Sequence, residues 1–340
     1  MQGVSVLVRD LGEFALIQRI ASRLPTRRSA APAVVFGIGD DAALWRPTPG
    51  CVSVLTTDSM VEGVHFTHQT TPWLDLGWKA LAANISDLAA MAALPRVALV
   101  TLGLTGGEDV SDIDALYDGM ADVALRYGVQ IIGGDTVRSA QRQVGITVIG
   151  EAPEVAGVPQ VLRRSGAQPG DLLAISGYPG SSAGGLELLL RADPDPDPLL
   201  LNAHRRPQPR VAEALWLLGQ GVRCATDSSD SLLCETDLLC AASGVEAWID
   251  AARLPVASAL QQAFPDRWAE LALFGGEDYE LVLAIDSQRF PDIQAGWALQ
   301  FGVPLTAIGA FRSAGLSGPR VELVNYQGPI TEFAHFLRSS

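Results

Sequence analysis

Aspartate residues that follow or interrupt apolar segments are the side chains of this sequence best suited to chemistry. Asp40 and Asp41 follow a Gly-x-Gly in FGIGDDAALW (36–45), and no Lys or Arg lies between Arg28 and Arg46. Adjacent carboxylates repel each other, and burying even one without a partner is costly. The sequence therefore raises the question of what cancels their charge.

Further aspartates share this setting. They end strand-like runs or interrupt an apolar helix, with no basic residue adjacent, at Asp58, Asp87, Asp135, Asp227 and Asp230. Each one alone is compatible with a turn, a cap or, for Asp87, an interior hydrogen bond. As a set, hard oxygen ligands without a His or Cys cluster favour Mg²⁺ over Zn²⁺. Bound Mg²⁺ bridges to phosphates, which would cancel the charge and let an acidic protein bind a nucleotide.

Composition limits the class of protein. The chain has 340 residues, 48% hydrophobic and 18% charged, with a formal net charge of −14. These values predict two globular domains and argue against a non-specific nucleic-acid binder or a protein of anionic membranes. The single lysine, Lys79, lies in Gly-Trp-Lys-Ala, which excludes a P-loop. Four cysteines without C-x-x-C spacing, and an N-terminus without an apolar secretion region, predict a cytoplasmic protein.

The order of apolar runs predicts an α/β (α+β) protein made of two related modules. Strands are predicted at 33–39, 51–58, 96–104, 129–135 and 145–152, and helices at 76–93 and 111–128, the latter capped by Ser111 and ended by Gly128. On the first helix, Asn84, Asp87 and Met91 fall on one face. The second half repeats this style with VRCATDSSD, a helix near 232–243, LALFGGEDYELVLAID and a final strand VPLTAIGAF. The predicted domains are 1–155 and 156–340.

Two glycine-rich segments admit other interpretations. GIGDDA resembles the G-x-G-x-x-A dinucleotide fingerprint, with Asp58 about 20 residues further on. Without a metal, two carboxylates would repel a pyrophosphate at that place, which disfavours this interpretation. GYPGSSAGG (177–185) would either cradle an anion on its backbone amides or serve as a crossover. DPDPDP (193–198) is interpreted only as a surface loop.

Six motifs in order carry a resemblance to a known family. GIGDDAAL, TTDSMVEGVHF, KALAANISDLAAMAALP, GGDT, RSGAQPGD and GGEDYEL, within about residues 11 to 336, resemble the thiamine-monophosphate kinase family. That family belongs to the aminoimidazole ribonucleotide synthetase superfamily. The resemblance implies an N-terminal mixed or antiparallel sheet with flanking helices that binds ATP and metal and forms a homodimer. It also implies a C-terminal α/β domain that completes the active site.

The resemblance implies phosphorylation of thiamine monophosphate to thiamine diphosphate by ATP, with several Mg²⁺ ions. Matched residue by residue, the implied magnesium ligands are Asp41, Thr56, Thr57, Asp58, Asp87, Asp135, Asp227 and Asp230, of which Asp58, Asp87, Asp135, Asp227 and Asp230 are the predicted catalytic residues. The implied nucleotide contacts are Tyr117, Gly134, Asp135, Arg164 and Ser229. The implied substrate contacts are His65, Glu277 and a C-terminal aromatic residue, Phe333 or Phe336. Without the resemblance, His65 is as compatible with a surface turn, and Tyr117 with the core.

The acceptor is itself a phosphate monoester, whose second pKa of about 6 leaves it largely a dianion near neutral pH. A general base is therefore not required. We also predict direct transfer without a phospho-enzyme, because the sequence offers no obvious activated nucleophile.

Departures from the family pattern keep two alternatives open. Ser231 replaces a usual glycine, which puts the loop geometry in doubt, and Ala92 replaces another, expected to be a mild change within a helix. No Cys precedes Cys51, unlike selenophosphate synthetase, and the chain ends FLRSS, unlike the hydrogenase-maturation protein with its C-terminal Cys. The alternatives are another ATP-dependent enzyme of the superfamily and an inactive binding protein for nucleotides or thiamine phosphates.

Overall fold

The structure is a computed structural model that describes residues 6–24, 34–315 and 320–330. The chain divides into two compact units. The first comprises Met1–Leu88 with Ala93–Gln160, and the second comprises Ala89–Ala92 with Val161–Ser340. The main division falls at 160/161, whereas the sequence placed it at 155/156. The roles predicted for the two domains stay predictions.

The first unit is built on one mixed sheet. Its helices are α1 (Val8–Leu11), α2 (Glu13–Arg23), α3 (Trp73–Ala90) and α4 (Val110–Tyr127). Its strands are β1 (Val34–Phe36), β2 (Leu44–Trp45), β3 (Cys51–Val61), β4 (Leu94–Leu104), β5 (Gln130–Arg138), β6 (Gln143–Val155) and β7 (Val158–Pro159). The sheet order is β3-β6-β4-β5, antiparallel except for the parallel pair β4/β5, with β7 beside β6. The predicted mixed or antiparallel sheet is confirmed.

Residues alternate across this sheet between a buried face and an exposed face. On β6, Val144, Ile146 and Val148 are buried, whereas Thr147 between them is only partly covered. On β3, Leu55 is 64% exposed, and its neighbour Thr56 contacts α3. The sheet of this unit is therefore covered by helices on one face and open on the other.

Two glycines let α3 and α4 approach closely. A Cβ atom on Gly77 of α3 would lie 1.9 Å from the carbonyl oxygen of Leu116, and one on Gly119 of α4 would lie 1.9 Å from that of Leu74. No larger residue fits at either crossing point without displacing the backbone. This contact helps to hold α3, which carries Asp87, in place.

The helix ends correct two predictions of the sequence analysis and confirm a third. α4 is capped by Asp109, whose carboxylate accepts the amide of Ser111, so Ser111 is not the cap. Gly128 ends α4 in the left-handed conformation, as predicted. α3 ends at Ala90, and Ala92 has a φ of 53°, so this alanine occupies a left-handed position after the helix rather than a helical one. That conformation favours glycine, the residue usual in the family.

The second unit is a six-stranded sheet covered on both faces. Its helices are α5 (Ser181–Leu190), α6 (Pro198–Arg205), α7 (Val211–Gly219), α8 (Leu232–Ser243), α9 (Ser258–Ala263), α10 (Trp268–Phe274) and α11 (Phe290–Gln300), with a 3₁₀ turn at Ala251–Arg253. Its strands are β8 (Leu172–Ser176), β9 (Cys224–Asp227), β10 (Val245–Asp250), β11 (Leu281–Ile285), β12 (Leu305–Ser313) and β13 (Val321–Val324). The order is β13-β10-β12-β8-β11-β9, and only β10/β13 is parallel.

Alternate residues of the central strand β8 enter two different cores. Leu173 and Ile175 pack with residues of α8 and α10, whereas Ala174 packs with residues of α7 and α11.

The sequence analysis was wrong on two details of the second unit. β12 is followed by β13, and the last Asp-Pro of DPDPDP begins α6, with Asp197 as its cap and Pro198 in its first turn. Within the described ranges, no helix is long and apolar enough to cross a bilayer.

An ion-pair network anchors the turn that follows β3. Arg142 donates to Glu62 in the VEGVHF turn (3.0 Å) and to Glu108 before α4 (2.8 Å). Burial raises the pKa of Glu108, but hydrogen bonds from Thr105 and Arg142 outweigh burial and bring this pKa down to about 2. The carboxylate of Glu108 therefore stabilises the fold when it is ionised.

We expect Glu108→Gln to lower the free energy of unfolding by about 1–3 kcal/mol at pH 7, because a charge-assisted hydrogen bond is lost. The folded pKa lies below the unfolded one, so this contribution is present above about pH 4.5 and disappears as the pH falls toward about 2. Thermal unfolding of the wild type and of Glu108→Gln between pH 7 and pH 2.5 measures the difference in their free energies of unfolding. If this difference stays constant over the range, ionised Glu108 is not the group that stabilises the fold.

Candidate active site

Four polar residues of the first unit converge between the edge strand β3 and helix α3. Thr56 and Asp58, two residues apart on β3, face α3, where Asn84 and Asp87 lie on adjacent turns. The hydroxyl of Thr56 donates a short hydrogen bond to Oδ2 of Asp87, and the amide of Asp58 donates to Oδ1 of Asn84 at 3.1 Å. Asn84 is buried and also donates to the carbonyl of Ala80. We call these four residues the carboxylate cluster.

The electrostatics of the carboxylate cluster match a cation site. The side chain of Asp58 reaches solvent, but desolvation by the surrounding residues, the charge of Asp87 and a hydrogen bond with Asp87 raise its pKa to about 6. Two neighbouring carboxylates repel each other, and a divalent cation bound between them would neutralise their charge. All four side chains present oxygen donors, the ligands that Mg²⁺ prefers.

Two other predicted ligands of the first unit stand apart from this cluster. Thr57 faces the opposite side of β3, where its hydroxyl contacts the carbonyl of Ile146 and the hydroxyl of Thr147, both at 3.0 Å. Asp40 and Asp41 lie on the surface, and the amide of Asp41 donates to the carboxylate of Asp40. The question raised by the Asp40–Asp41 pair therefore applies more strongly to Asp58 and Asp87.

Three of the predicted nucleotide contacts line one pocket of the first unit. Tyr117 of α4 meets Gly134 and Asp135 of β5 there, beside Ile20 and Ile38. Tyr117 is 4% exposed, and burial raises the pKa of its hydroxyl. The side chain of Tyr117 borders this pocket and can contact a ligand bound there.

Gly134 is required by the backbone at this pocket. Its φ is 154°, and a Cβ atom would lie 1.8 Å from the carbonyl oxygen of Val100 on the paired strand β4. The glycine therefore lets β5 lie against β4 directly before the exposed side chain of Asp135.

In the second unit, the two acidic loops bind each other through their backbones. The amide of Ser228 donates to the carbonyl of Glu280 (2.8 Å), and the amide of Glu277 donates to the carbonyl of Ser229 (2.7 Å). Asp227, at the end of β9, is 3% exposed, whereas Asp230 is exposed. ATDSSD and GGEDYEL, which are distant in sequence and adjoin the antiparallel strands β9 and β11, thus form one surface.

Glu235 is a candidate residue that the sequence analysis missed. It lies on α8, is 1% exposed, and accepts hydrogen bonds from Thr226 (3.1 Å) and Ser229 (3.3 Å). Arg164 donates to the same Thr226 at 3.3 Å, which brings two predicted nucleotide contacts, Arg164 and Ser229, to one place. An acidic residue in the apolar helix LLCETDLLCAA was the available signal.

A second group of potential metal ligands lies here. Carboxylate oxygens of Asp230 and Glu235 and the Sγ atom of Cys234 all lie within 4.8 Å of one another. Burial raises the pKa of Glu235, and the charge of Asp230 adds to this effect, against a lowering by Arg164. These residues offer the charge that a divalent cation would neutralise.

The GGED loop also decides the role of the glycine-rich loop. Asp278 accepts the amides of Gly180 (2.6 Å) and Ser182 (2.9 Å) at the start of α5. Burial raises the pKa of Asp278 against these two hydrogen bonds, and the nearby Glu280 raises it further, to about 7. The protein's own carboxylate therefore occupies the place where GYPGSSAGG would have cradled an external anion.

The predicted substrate contacts lie on different units. His65 is half-buried in the turn after β3, and its Nδ1 accepts the amide of Val61 at 3.1 Å. Glu277 has a φ of 63°, and its carboxylate lies 3.7 Å from Nδ1 of the buried His204. Phe333 and Phe336 lie outside the described residues.

Ser231 does not strain its loop. Its φ is −173°, an extended conformation open to any residue, and its hydroxyl accepts the amide of Cys234 as the cap of α8. The doubt about the missing glycine is therefore resolved by the backbone: this position has no need for a positive φ.

We expect Ser231→Gly to keep full activity and to lower the free energy of unfolding by only a few tenths of a kcal/mol, because glycine is itself tolerated at a helix N-cap. Ser231→Ala should lower it by about 1 kcal/mol, because alanine removes the capping hydroxyl and is disfavoured at that position. Thermal unfolding and turnover of both variants check this. A gain in turnover on restoring glycine would show that the serine does constrain the loop.

Comparisons with known proteins identify the family of this chain. Residues 39–152 match the family model described as AIR synthase related protein, N-terminal domain. The thiamine-monophosphate kinase of Bacillus subtilis is 38% identical over 309 residues, which is 89% of this chain and 92% of that protein. The chain belongs to the thiamine-monophosphate kinase family. The enzyme of Salmonella typhimurium is 39% identical over 90% of this chain and 92% of its own.

Solved structures of the family have the same fold. The thiamine-monophosphate kinase of Stenotrophomonas maltophilia matches with a TM-score of 0.79 and 35% identity, over 92% of this chain and 96% of that one. The structure described as AaThiL complexed with AMPPCP and TMP matches with a TM-score of 0.74 and 29% identity, over 98% and 100%. A hydrogenase maturation protein HypE in complex with ATP has a TM-score of 0.73 at 20% identity, which shows a shared fold alone.

Proposed function

We propose that this protein transfers the terminal phosphoryl group of ATP to thiamine monophosphate, forming thiamine diphosphate and ADP in thiamine diphosphate biosynthesis. The observation that carries the proposal is identity of 38% to a thiamine-monophosphate kinase along 89% of the chain. The kinase activity, ATP and thiamine monophosphate come from the relatives and from the AMPPCP and TMP complex of one of them. The carboxylate cluster supports the chemistry from this chain's own residues.

We propose Mg²⁺ as the cation of this reaction, because the donor sets fit it. Thr56, Asp58 and Asp87 would hold ions in the first unit, and Asp230 with Glu235 in the second. When bound, the cations supply neutralisation of phosphate charge and alignment of the two phosphates. Asp41, Thr57, Asp135 and Asp227 remain predicted ligands.

The remaining residues of the proposed site would bind and orient the nucleotide. The side chain of Tyr117 can contact the nucleotide, and Gly134 keeps β5 close to β4 beside it. The acceptor phosphate is ionised near neutral pH, so no side chain has to remove a proton from it. Burial raises the pKa of Cys224 to about 11 and that of Cys240 to about 12, so neither thiol is an activated nucleophile. Direct transfer fits these properties.

A homodimer formed through the first unit is part of the proposal. The open face of its sheet presents Leu55 (64% exposed), Leu99 (36%) and Val137 (39%) on three strands. An apolar face of this kind is typical of a protein interface, and a second copy of the chain would cover it. Light scattering of the wild type should give a molar mass of twice 35.9 kDa, and Leu55→Glu should give the mass of one chain. A wild-type monomer would refute the dimer.

We also propose a cytoplasmic location, where ATP is available. The four cysteines are free thiols, which suits a reducing compartment. Fractionation of cells that express the tagged protein tests this.

The deciding experiment measures ADP release from ATP and Mg²⁺ with thiamine monophosphate, with thiamine and without acceptor. We expect release only with the monophosphate, matched by thiamine diphosphate. No release with any acceptor, together with retained nucleotide binding, would instead favour the inactive binding protein or a sibling activity.

A further inference from the structure

The N-terminal helix α2 forms part of the wall of the pocket that contains Tyr117. Ile17 and Ile20 of α2 line this pocket together with Ile38, Ile131 and Tyr117. The lining is mostly branched aliphatic, its polar side chains are those of Tyr117, Asp135 and Thr136, and no basic side chain is among these lining residues. Such a lining suits a flat heteroaromatic ring better than a polyphosphate, which requires positive charge. The chemistry of this pocket therefore matches the base of a nucleotide.

Ion pairs hold α2 against α4. Arg19 donates through Nε to Oδ1 of Asp114 at 2.8 Å, and Arg23 donates through Nη2 to Oδ2 of the same carboxylate at 2.8 Å. Arg23 also binds both carboxylate oxygens of Asp118 at 2.8 Å. We call these four residues the α2 clamp.

The central carboxylate of the α2 clamp, that of Asp114, is better protected than one in an ordinary surface ion pair, whereas Arg19 and Asp118 are about half-exposed. The side chain of Asp114 is only 10% exposed, and that of Arg23 is 31% exposed. The hydrogen bond from Arg19 lowers the pKa of Asp114, and the charges of Arg23 and Arg19 lower it further against burial. The two arginines therefore favour the ionised form of this carboxylate.

The α2 clamp lies within one turn of the pocket residues on both helices. Asp114 lies one turn before Tyr117 on α4, and Arg23 lies one turn after Ile20 on α2, whereas Asp118 and Arg19 are their neighbours in sequence. The start of the chain is tied to the same region, since the amide of Val8 donates to the carbonyl of Glu108 at 3.0 Å. The separation between the isoleucines of α2 and Tyr117 thus depends on the clamp.

We propose that the α2 clamp is a positioning device for the phosphoryl donor: it holds Ile17 and Ile20 opposite Tyr117 at the spacing that a nucleotide base requires. This inference rests on the proposed function. The clamp residues touch neither substrate, and they act through the pocket wall. Loss of the clamp should therefore weaken nucleotide binding and leave thiamine monophosphate binding and the chemical step unchanged.

The test compares Asp114→Asn, Asp118→Asn and Ile17→Trp with the wild type. Asp114→Asn should raise KM for ATP and Kd for AMPPCP roughly three- to tenfold, the equivalent of one hydrogen bond. KM for thiamine monophosphate and kcat should not change. Ile17→Trp should weaken AMPPCP binding while the ion pairs stay intact, because it fills the pocket. The control Asp237→Asn removes an exposed bidentate ion pair with Arg320 in the second unit, and should change none of these constants.

Equal rises in both KM values, or unchanged AMPPCP binding with a lower melting temperature, would show that the clamp is only structural. If Asp114→Asn does not fold, Asp118→Asn and Ile17→Trp decide by the same criteria. If the wild type shows no turnover with thiamine monophosphate, the proposed function fails, and the comparison of AMPPCP Kd values alone decides the positioning role.

Discussion

Asp87→Asn is expected to lower turnover by at least about a hundredfold while leaving the protein folded and no less stable. The physical reason is that the charge of Asp87 contributes to turnover by binding a cation, and does not stabilise the fold when no cation is bound. Without a cation, desolvation and then the charge and hydrogen bond of Asp87 raise the pKa of Asp58 to about 6, and the two ionised groups repel each other. Asparagine removes this repulsion and can still accept the hydrogen bond from Thr56.

The measurement combines turnover with thermal unfolding at several Mg²⁺ concentrations. Wild-type protein should gain stability as Mg²⁺ rises, because a ligand that binds only the folded state stabilises it, whereas Asp87→Asn should gain much less. Asp122→Asn makes the same chemical change at an exposed position of α4 and serves as the matched control. Normal turnover in Asp87→Asn would remove Asp87 from the active site.

Gly77→Ala is expected to have the largest effect on stability. The new methyl group would lie 1.9 Å from the carbonyl oxygen of Leu116, and this oxygen belongs to the backbone of a helix that cannot yield as a side chain can. Overpacking of this kind costs about 3 kcal/mol, equivalent to a fall in melting temperature of roughly 6–12 °C for a domain of this size. Because α3 carries Asn84 and Asp87, Mg²⁺ binding should weaken as well.

Gly219→Ala provides the matched control. Gly219 ends helix α7, and no atom lies within 4 Å of a Cβ built there. Alanine has the higher helix propensity, so this variant should be neutral or more stable by up to about 1 kcal/mol. Circular dichroism melting curves of both variants give the comparison. Equal melting temperatures for the two would mean that α3 and α4 can separate at little cost.

Much of the secondary structure could be predicted from the sequence, because the signals for it are local. Helix α8 has the predicted bounds near 232–243, and Gly128 ends α4 in the left-handed conformation. The mixed sheet of the first unit and the family were confirmed as well. Apolar periodicity, glycine stops and contiguous motifs each depend on residues close together in the chain, which is why they can be read without a structure.

Other features depended on contacts between distant residues. Thr56 meets Asp87 across 31 positions, and Arg19 meets Asp114 across 95, so neither pair has a local signal. The extended backbone of Ser231 and the left-handed backbone of Ala92 were likewise invisible, because the same residue type fits several conformations. The sequence thus determined which residue types are present and in what order. Only the tertiary structure decided which carboxylates crowd together and which, like Asp40 and Asp41, face water, because charge density and burial arise when strands and helices pack.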